Sequence, residues 1–237
     1  MRRILLFSTS TVHPGGYMEY AVPVVQRFLG AHRSILFVPY ARPNGMPHDR
    51  YTELFRTRLG NVGYRVDGVH EAGDPSQAVR TAESIFVGGG NTFVLLRALH
   101  EAGIVKTIRA RVAEGLPYMG SSAGSNVAGL SIGTTNDMPI VRPPSFEALG
   151  LVPFNINPHY LDPDPDSTHM GETRETRIDE FHAFNPQPVV GLREGSWLLI
   201  DGTSVNLQGT NGARVFRRQQ QPEEVEAGAC LDSLLQE

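Results

Sequence analysis

Short, wholly apolar runs alternate along this chain with longer segments in which apolar residues recur every three or four positions. Ile4–Phe7, Ile35–Val38, Ile85–Val87 and Leu116–Met119 are runs of the first kind, and Val62–Val69 is a more polar one. Strands apolar on both faces are what a parallel sheet covered by helices requires. Helical spacing appears in Tyr51, Leu54, Phe55 and Leu59, in Phe93, Val94, Leu96, Ala98 and Leu99, and in Ile104, Val105, Ile108 and Val112. Asp74-Pro75 reads as an N-cap followed by proline at the first helical position. The βα alternation predicts an α/β protein with an open sheet and right-handed crossovers. Beyond Leu130 the pattern loosens. Thr134–Pro144 and Leu161–Met170 read as loops and Leu151–Ile156 as a further strand. Gly171–Phe184 reads as a charged helix with Ile178 and Phe181 inward. Val189-Val190, Ser196–Ile200, Val205–Leu207 and Arg214–Phe216 predict an antiparallel finish. The polar, acidic segment from Gln219 predicts a disordered tail. No repeat or linker divides the chain, so a single domain over 1–237 is expected.

Composition narrows the function classes. Of 237 residues, 40% are hydrophobic and 19% charged, a globular balance, and the formal net charge of -4 leaves no global basic field for a nucleic-acid partner. The single cysteine, Cys230, excludes an internal disulfide, a CxxC site and a core cysteine nucleophile. The apolar run after Met1-Arg2-Arg3 is too short for a signal segment, and no stretch approaches the roughly 20 apolar residues of a membrane span. A cytoplasmic protein, monomer or homodimer, without membrane or nucleic-acid partners, is the expectation.

Two glycine-bearing turns carry the candidate chemistry. Gly120-Ser121-Ser122-Ala123-Gly124 fits GxSxG, between a strand and a small-residue segment, Ala123–Leu130, read as a helix. In such an elbow the central serine takes a strained conformation, and the flanking glycines remove side chains that would clash. Gly88-Gly89-Gly90-Asn91-Thr92 also lies between strand and helix. Its backbone N–H groups suit a phosphate or an oxyanion. Both turns should open at the C-terminal edge of one sheet. Read without chemistry, each is an ordinary tight βα turn.

A serine nucleophile needs a base, and the base needs a carboxylate. Among His13, His32, His48, His70, His100, His159, His169 and His182, His159 stands out because it follows Asn157-Pro158 at a strand end. Asp137 and Glu194 are both candidates for the carboxylate, and spacing does not choose between them. Asp162-Pro163-Asp164-Pro165-Asp166-Ser167-Thr168-His169 faintly suggests a calcium loop but lacks its glycine and distal glutamate, so no metal is assigned. The loop is instead a candidate gate.

Gly88-Gly89-Gly90-Asn91-Thr92-Phe93, Ser122-Ala123-Gly124, Thr135–Val141, Asn157-Pro158-His159 and Gly171–Glu175, in this order, resemble the peptidase E family of α-aspartyl dipeptidases. The resemblance implies a flavodoxin-like fold, as in class I glutamine amidotransferases: an open, mostly parallel sheet with helices on both faces. It implies a serine peptidase hydrolysing dipeptides with a free N-terminal aspartate through an acyl-enzyme, with no cofactor. The family's nucleophile falls on Ser122, its base on His159 and its acidic triad member on Glu194. The oxyanion donors would then be backbone N–H groups of Ala123 and of Gly89 or Gly90. Asp137 becomes free to hold the substrate ammonium and Arg174 to hold its β-carboxylate, with Asn91 a further substrate contact. Read as plain helix surface, Arg174 and Arg177 would instead form ion pairs with Glu172 and Glu175. The sequence departs from bacterial members at Ser121, where they carry tryptophan, which predicts one altered pocket wall. A cyanophycinase-like β-aspartyl peptidase and a nucleotide- or phosphate-binding module are the alternatives. A glutamine amidotransferase is disfavoured because the elbow carries serine rather than cysteine.

Overall fold

The computed structural model describes residues 1–43, 46–166, 168 and 170–236. Its order begins β1 (Arg3–Phe7), α1 (Val22–Leu29), β2 (Ser34–Val38), α2 (His48–Gly60), β3 (Arg65–Gly68), α3 (Pro75–Thr81), β4 (Ile85–Val87). It continues α4 (Thr92–Glu101), α5 (Val105–Ala113), β5 (Tyr118–Ser121), α6 (Ala123–Asn126), β6 (Asn155–Pro158), α7 (Arg174–Phe184). Strands β7 (Val189–Leu192), β8 (Ser196–Asp201), β9 (Ser204–Gly209), β10 (Ala213–Phe216) and β11 (Glu223–Val225) complete it.

Seven strands form one sheet in the order β3-β2-β4-β5-β1-β8-β9. The first five are mutually parallel, and β8 and β9 close the edge antiparallel. Counted from β2, the parallel part follows the flavodoxin order 2-1-3-4-5, with the first strand of the chain taking the fifth place. Alternation along the strands feeds two cores. Ile4, Leu6, Leu36, Val38, Ile85 and Val87 pack with residues of α3, α4 and α5. Leu5, Phe7, Ile35, Phe37, Phe86 and Met119 pack with α1 and α2 on the other face. Two hydrophobic faces on every central strand explain the unbroken apolar runs. Among the described residues no helix is long and apolar enough to cross a membrane.

The predicted antiparallel finish is divided between two sheets. Strands β8 and β9 extend the main sheet, whereas β7 and β10 join β6 and β11 in a second sheet, ordered β11-β10-β7-β6. Here β6 and β7 run parallel. Short apolar strands do not encode their partners, so this split follows from packing alone. Helix α1, absent from the prediction, buries Val22, Val25 and Leu29 at helical spacing under the β1 side of the sheet. The segment after the elbow makes one helical turn, Ala123–Asn126, rather than a helix to Leu130. A Cβ at Gly129 would stand 2.9 Å from the Phe154 carbonyl oxygen, so the chain turns there to pass the β6 approach. The strand predicted over Leu151–Ile156 lies at Asn155–Pro158. Past Gln219, where disorder was expected, the chain adds β11 and buries Val225, Leu231 and Leu234. Three well-placed apolar side chains and ion pairs from Arg193 and Arg217 to Glu224 and Glu223 tie down an otherwise polar segment.

Candidate active site

The β5–α6 junction is a strained elbow. Ser122 has φ 53° and ψ -114°, a conformation costly for a residue with a Cβ. Its N–H donates to the Phe7 carbonyl (3.1 Å), and Ser125 Oγ donates to the same oxygen (2.7 Å), so β1 anchors both sides of the turn. The glycines of the GxSxG string are sterically required. A Cβ at Gly120 would lie 2.4 Å from the Gly124 oxygen, and one at Gly124 would lie 2.1 Å from the Val87 oxygen. Neither partner is a side chain that can swing away. Gly124→Ala is therefore expected to cost about 3 kcal/mol, lowering the thermal midpoint by about 6–12 °C in differential scanning calorimetry. A midpoint within 2 °C of wild type, as an order-of-magnitude bound, would contradict this reading of the contact.

His159 reaches the elbow from the end of β6. Its backbone is also left-handed, with φ 54°. Its N–H donates to Ser8 Oγ (2.9 Å), and that buried hydroxyl donates to the Leu192 carbonyl at the end of β7 (2.7 Å). Ser8 thus joins the ends of β1, β6 and β7 and holds the histidine backbone. The ring lies between two partners: Nε2 is 2.9 Å from Ser122 Oγ and Nδ1 is 2.5 Å from Glu194 Oε1. A carboxylate only accepts, so Nδ1 carries the proton and the Nε2 lone pair faces the serine hydroxyl. The arrangement is that of a nucleophile, a base and an orienting carboxylate.

Glu194 occupies the turn after β7. Asn211 Nδ2 donates to its carbonyl oxygen (2.6 Å), and Gly195, at φ 83°, completes the turn. The preceding residue, Arg193, makes two hydrogen bonds to Asp162 (2.8 and 2.7 Å) and also holds Glu224. Its guanidinium keeps the Asp162 carboxyl below the usual carboxylate range. The loop after His159 and the last strand are thereby tied to the turn bearing Glu194. Tyr20, raised by burial and then by the charge of Glu194, remains a neutral phenol and donates to the Thr9 carbonyl.

The glycine turn lies directly against the serine. A Cβ at Gly89 would be 3.0 Å from Ser122 Cβ and 3.6 Å from its Oγ. Gly89 N–H, one of the expected oxyanion donors, is taken: it donates to Tyr51 Oη (3.0 Å). Among the described residues, Gly90 N–H and Ala123 N–H have no acceptor. Of the three expected oxyanion donors, Gly90 and Ala123 are thus the two whose N–H groups are left available among the described residues. Asn91, expected as a substrate contact, is spent otherwise: Oδ1 accepts from Val94 N–H as the α4 cap, and Nδ2 donates to the Met138 carbonyl (2.8 Å).

Asp137 sits on the segment that bridges these elements. Oδ2 accepts from Thr92 N–H (2.7 Å), Thr92 Oγ1 (2.7 Å) and Thr135 Oγ1 (3.1 Å), while Oδ1 has no partner among the described residues. Asn136 next door donates to the Pro158 carbonyl, immediately before His159. Asp137 is thus not the orienter of the histidine. Arg174, the first residue of α7, makes no ion pair or hydrogen bond among the described residues. Its potential surface partners are engaged elsewhere, Glu172 with Arg177 and Glu175 with Arg214. Burial, then the charge of Arg177, hold the guanidinium below its ordinary value, and the Asp137 carboxylate acts in the opposite direction. A cation at a helix N-terminus is also disfavoured by the helix dipole. Among the described residues Arg174 is thus a cation without a bonded anion, in the field of Asp137.

A profile of peptidase family S51 matches residues 4–208 of this sequence. The chain belongs to peptidase family S51. It is 54% identical over 232 residues to a peptidase E of Streptomyces coelicolor, covering 98% of this chain and 94% of that protein. It is 50% identical over 238 residues to a probable alpha-aspartyl dipeptidase of Drosophila melanogaster, covering 99% and 98%. In fold it resembles a putative peptidase E protein from Listeria monocytogenes (TM-score 0.67, 24% identity, 88% and 98% covered). It also resembles a peptidase from an acI-B1 actinobacterium (TM-score 0.73, 16% identity, 98% and 96% covered). Membership in this peptidase family makes the chain an enzyme that acts on small peptides.

For this S51 peptidase several sequence expectations change once the residues are placed. Ser121, expected to alter a pocket wall, is fully buried in β5, paired with Phe7, and so lines no open cleft. His70 bonds Asp49 and His182 lies near the Gln187 carbonyl, away from the elbow. Asp162 of the segment read as a loop, to which no metal was assigned, is committed to Arg193, and Ser167 and His169 of that segment lie outside the described residues. Ser8 and Arg193 escaped the sequence reading. Position was the available signal for Ser8, since a polar residue directly after a core strand lies at the sheet edge where sites are built.

Proposed function

We propose that this peptidase is a serine-type dipeptidase that hydrolyses Asp-Xaa dipeptides with a free N-terminal aspartate through an acyl-enzyme. The observation that carries the reading is the unbroken hydrogen-bonded line Ser122–His159–Glu194 on a positive-φ elbow. In this reading His159 Nε2 removes the Ser122 proton as Oγ attacks the scissile carbonyl. Glu194 holds the Nδ1–H tautomer and stabilises the imidazolium that forms. Gly90 and Ala123 N–H groups receive the oxyanion, each such donor being worth about 10²–10³ in rate. His159 then gives the proton to the leaving amine, and it activates the water that resolves the acyl-enzyme.

The pocket charges set the specificity. Asp137 Oδ1, with no partner among the described residues, accepts the substrate α-ammonium, while Oδ2 stays anchored by Thr92 and Thr135. Arg174 supplies a planar fork to the β-carboxylate, completing an ion pair that it does not make among the described residues. The two charges require both a free N-terminus and an acidic side chain.

Hydrolysis of Asp-Leu, Glu-Leu, Asn-Leu and acetylated Asp-Leu tests the reading. Cleavage is expected for Asp-Leu, and at least about 100-fold slower for Asn-Leu and the acetylated peptide, each of which leaves a half-buried charge unpaired. Equal rates on the free and acetylated peptides would overturn the ammonium assignment. Folded enzyme that leaves all four intact would overturn the dipeptidase reading and turn attention to β-aspartyl polymers.

A further inference from the structure

The proposed mechanism assigns the oxyanion to Gly90 and Ala123 but does not explain what holds the glycine turn in place. Three consecutive glycines have little conformational preference of their own, so the turn needs an external restraint. Tyr51 supplies one from α2. It is 1% exposed, and its hydroxyl bonds both polar groups of a single residue. Gly89 N–H donates to Oη (3.0 Å), and the Tyr51 O–H donates to the Gly89 carbonyl (3.2 Å). Gly88 is pressed on the same ring: a Cβ there would lie 2.8 Å from Oη and 2.9 Å from Cε1.

The ring itself is fixed. Phe37 meets it edge to face (5.0 Å, 84°), and the Arg42 guanidinium stands 4.8 Å from its centroid. Phe37 in turn stacks on Phe55 and contacts Phe86. A phenylalanine would satisfy such an aromatic core equally well; what tyrosine adds is the hydroxyl, which is spent on Gly89. With Gly89 held from behind, the next N–H of the turn, that of Gly90, is the first without a partner among the described residues. Gly90 is in turn backed by Ala41, whose oxygen would lie 2.2 Å from an added Cβ.

We infer that Tyr51 is a positioning residue for catalysis, its hydroxyl orienting the Gly89 peptide so that Gly90 N–H is presented to the developing oxyanion. This rests on the dipeptidase reading above. The hydroxyl touches no reacting atom. Its removal should leave substrate binding intact and weaken only what depends on the placement of that N–H, the transition state.

The experiment compares wild type, Tyr51→Phe and Phe55→Leu. Phe55→Leu loosens the same aromatic core without removing the hydroxyl. Each is assayed with Asp-Leu, with L-aspartate as the product ligand and with the boronic acid analogue of aspartate, whose serine adduct is tetrahedral. The stoichiometry of L-aspartate binding counts folded sites, so kcat is expressed per competent site even where a variant folds poorly. Tyr51→Phe is expected to lower kcat about 10- to 100-fold with KM within about twofold of wild type. Boronate affinity should fall by the same factor, L-aspartate affinity should hold, and the acid limb of kcat/KM should not move. Phe55→Leu should lower the thermal midpoint while keeping kcat per site. A Tyr51→Phe enzyme with wild-type kcat per site, or an equal kcat loss in Phe55→Leu at equal loss of stability, overturns the inference. Wild-type enzyme that leaves Asp-Leu intact would instead overturn the function on which it rests.

Discussion

Ser122→Ala is expected to fold as wild type and to lose Asp-Leu hydrolysis by about 10⁴–10⁶ in kcat. The substitution keeps a Cβ at φ 53°, so the strain of the elbow and its bonds to Phe7 are retained. Only the hydroxyl that faces His159 Nε2 is lost. The same geometry predicts how the triad members combine. Because serine and histidine act in one proton transfer, His159→Ala should be nearly as damaging alone, and the double variant little worse than either. Kinetics of both single variants and the double variant, with circular dichroism to confirm folding, check this. Losses that add on a logarithmic scale would mean that the two side chains do not act as a unit. A Ser122→Ala enzyme retaining more than about 1% of wild-type kcat would remove the serine from the chemistry.

Arg174→Ala carries the second large effect, and it separates function from stability. The guanidinium has no partner among the described residues, is partly desolvated, and sits at the unfavourable end of α7. Its removal should leave the thermal midpoint unchanged or raise stability by about 0.3–1 kcal/mol. Activity should move the other way. Losing a half-buried charge-assisted contact to the substrate β-carboxylate is expected to lower kcat/KM for Asp-Leu about 10²–10³-fold, mostly through KM. Discrimination between Asp-Leu and Asn-Leu should collapse with it. Arg174→Lys should recover part of the loss, since an ammonium restores the charge but not the fork. A destabilised Arg174→Ala enzyme with normal kcat/KM would return Arg174 to the ordinary helix surface from which the sequence alone could not distinguish it.

The legibility of the site followed the locality of its parts. Ser122 was readable because its turn is written within five residues, a Cβ at Gly120 closing on Gly124 at 2.4 Å, although the reason Gly124 lacks a side chain, Val87 of β4 at 2.1 Å, is a tertiary one. His159 was readable as a histidine at a strand end, and both candidate carboxylates were in view. The choice of Glu194 over Asp137 rested on resemblance until the distances were known, because it depends on where β6 and β7 pair. Gly89 illustrates the opposite case. Its place beside the serine was anticipated, but the side chain that takes its N–H comes from α2, 38 residues away, where Tyr51 looked like one more apolar helix position. Arg174 was visible as an arginine on a charged helix; that its neighbours Glu172 and Glu175 are drawn to Arg177 and Arg214 was not.

Near neighbours along the chain dictate the local and periodic features. The apolar runs of the central strands, the amphipathic spacing of α2, α4 and α5, the proline-led start of α3 and the two glycine turns all follow from neighbours within a few positions. Tertiary structure decided whatever depends on pairing between distant segments. It placed β1 fifth in the parallel order, divided the last strands between two sheets and brought the buried apolar residues of the C-terminal segment into the fold. It also set Ser8 under His159 and drew Glu172 and Glu175 away from Arg174. The physical reason is the same in each case: backbone hydrogen bonds and apolar burial are satisfied by any partner of suitable shape, and only the packed whole selects which one.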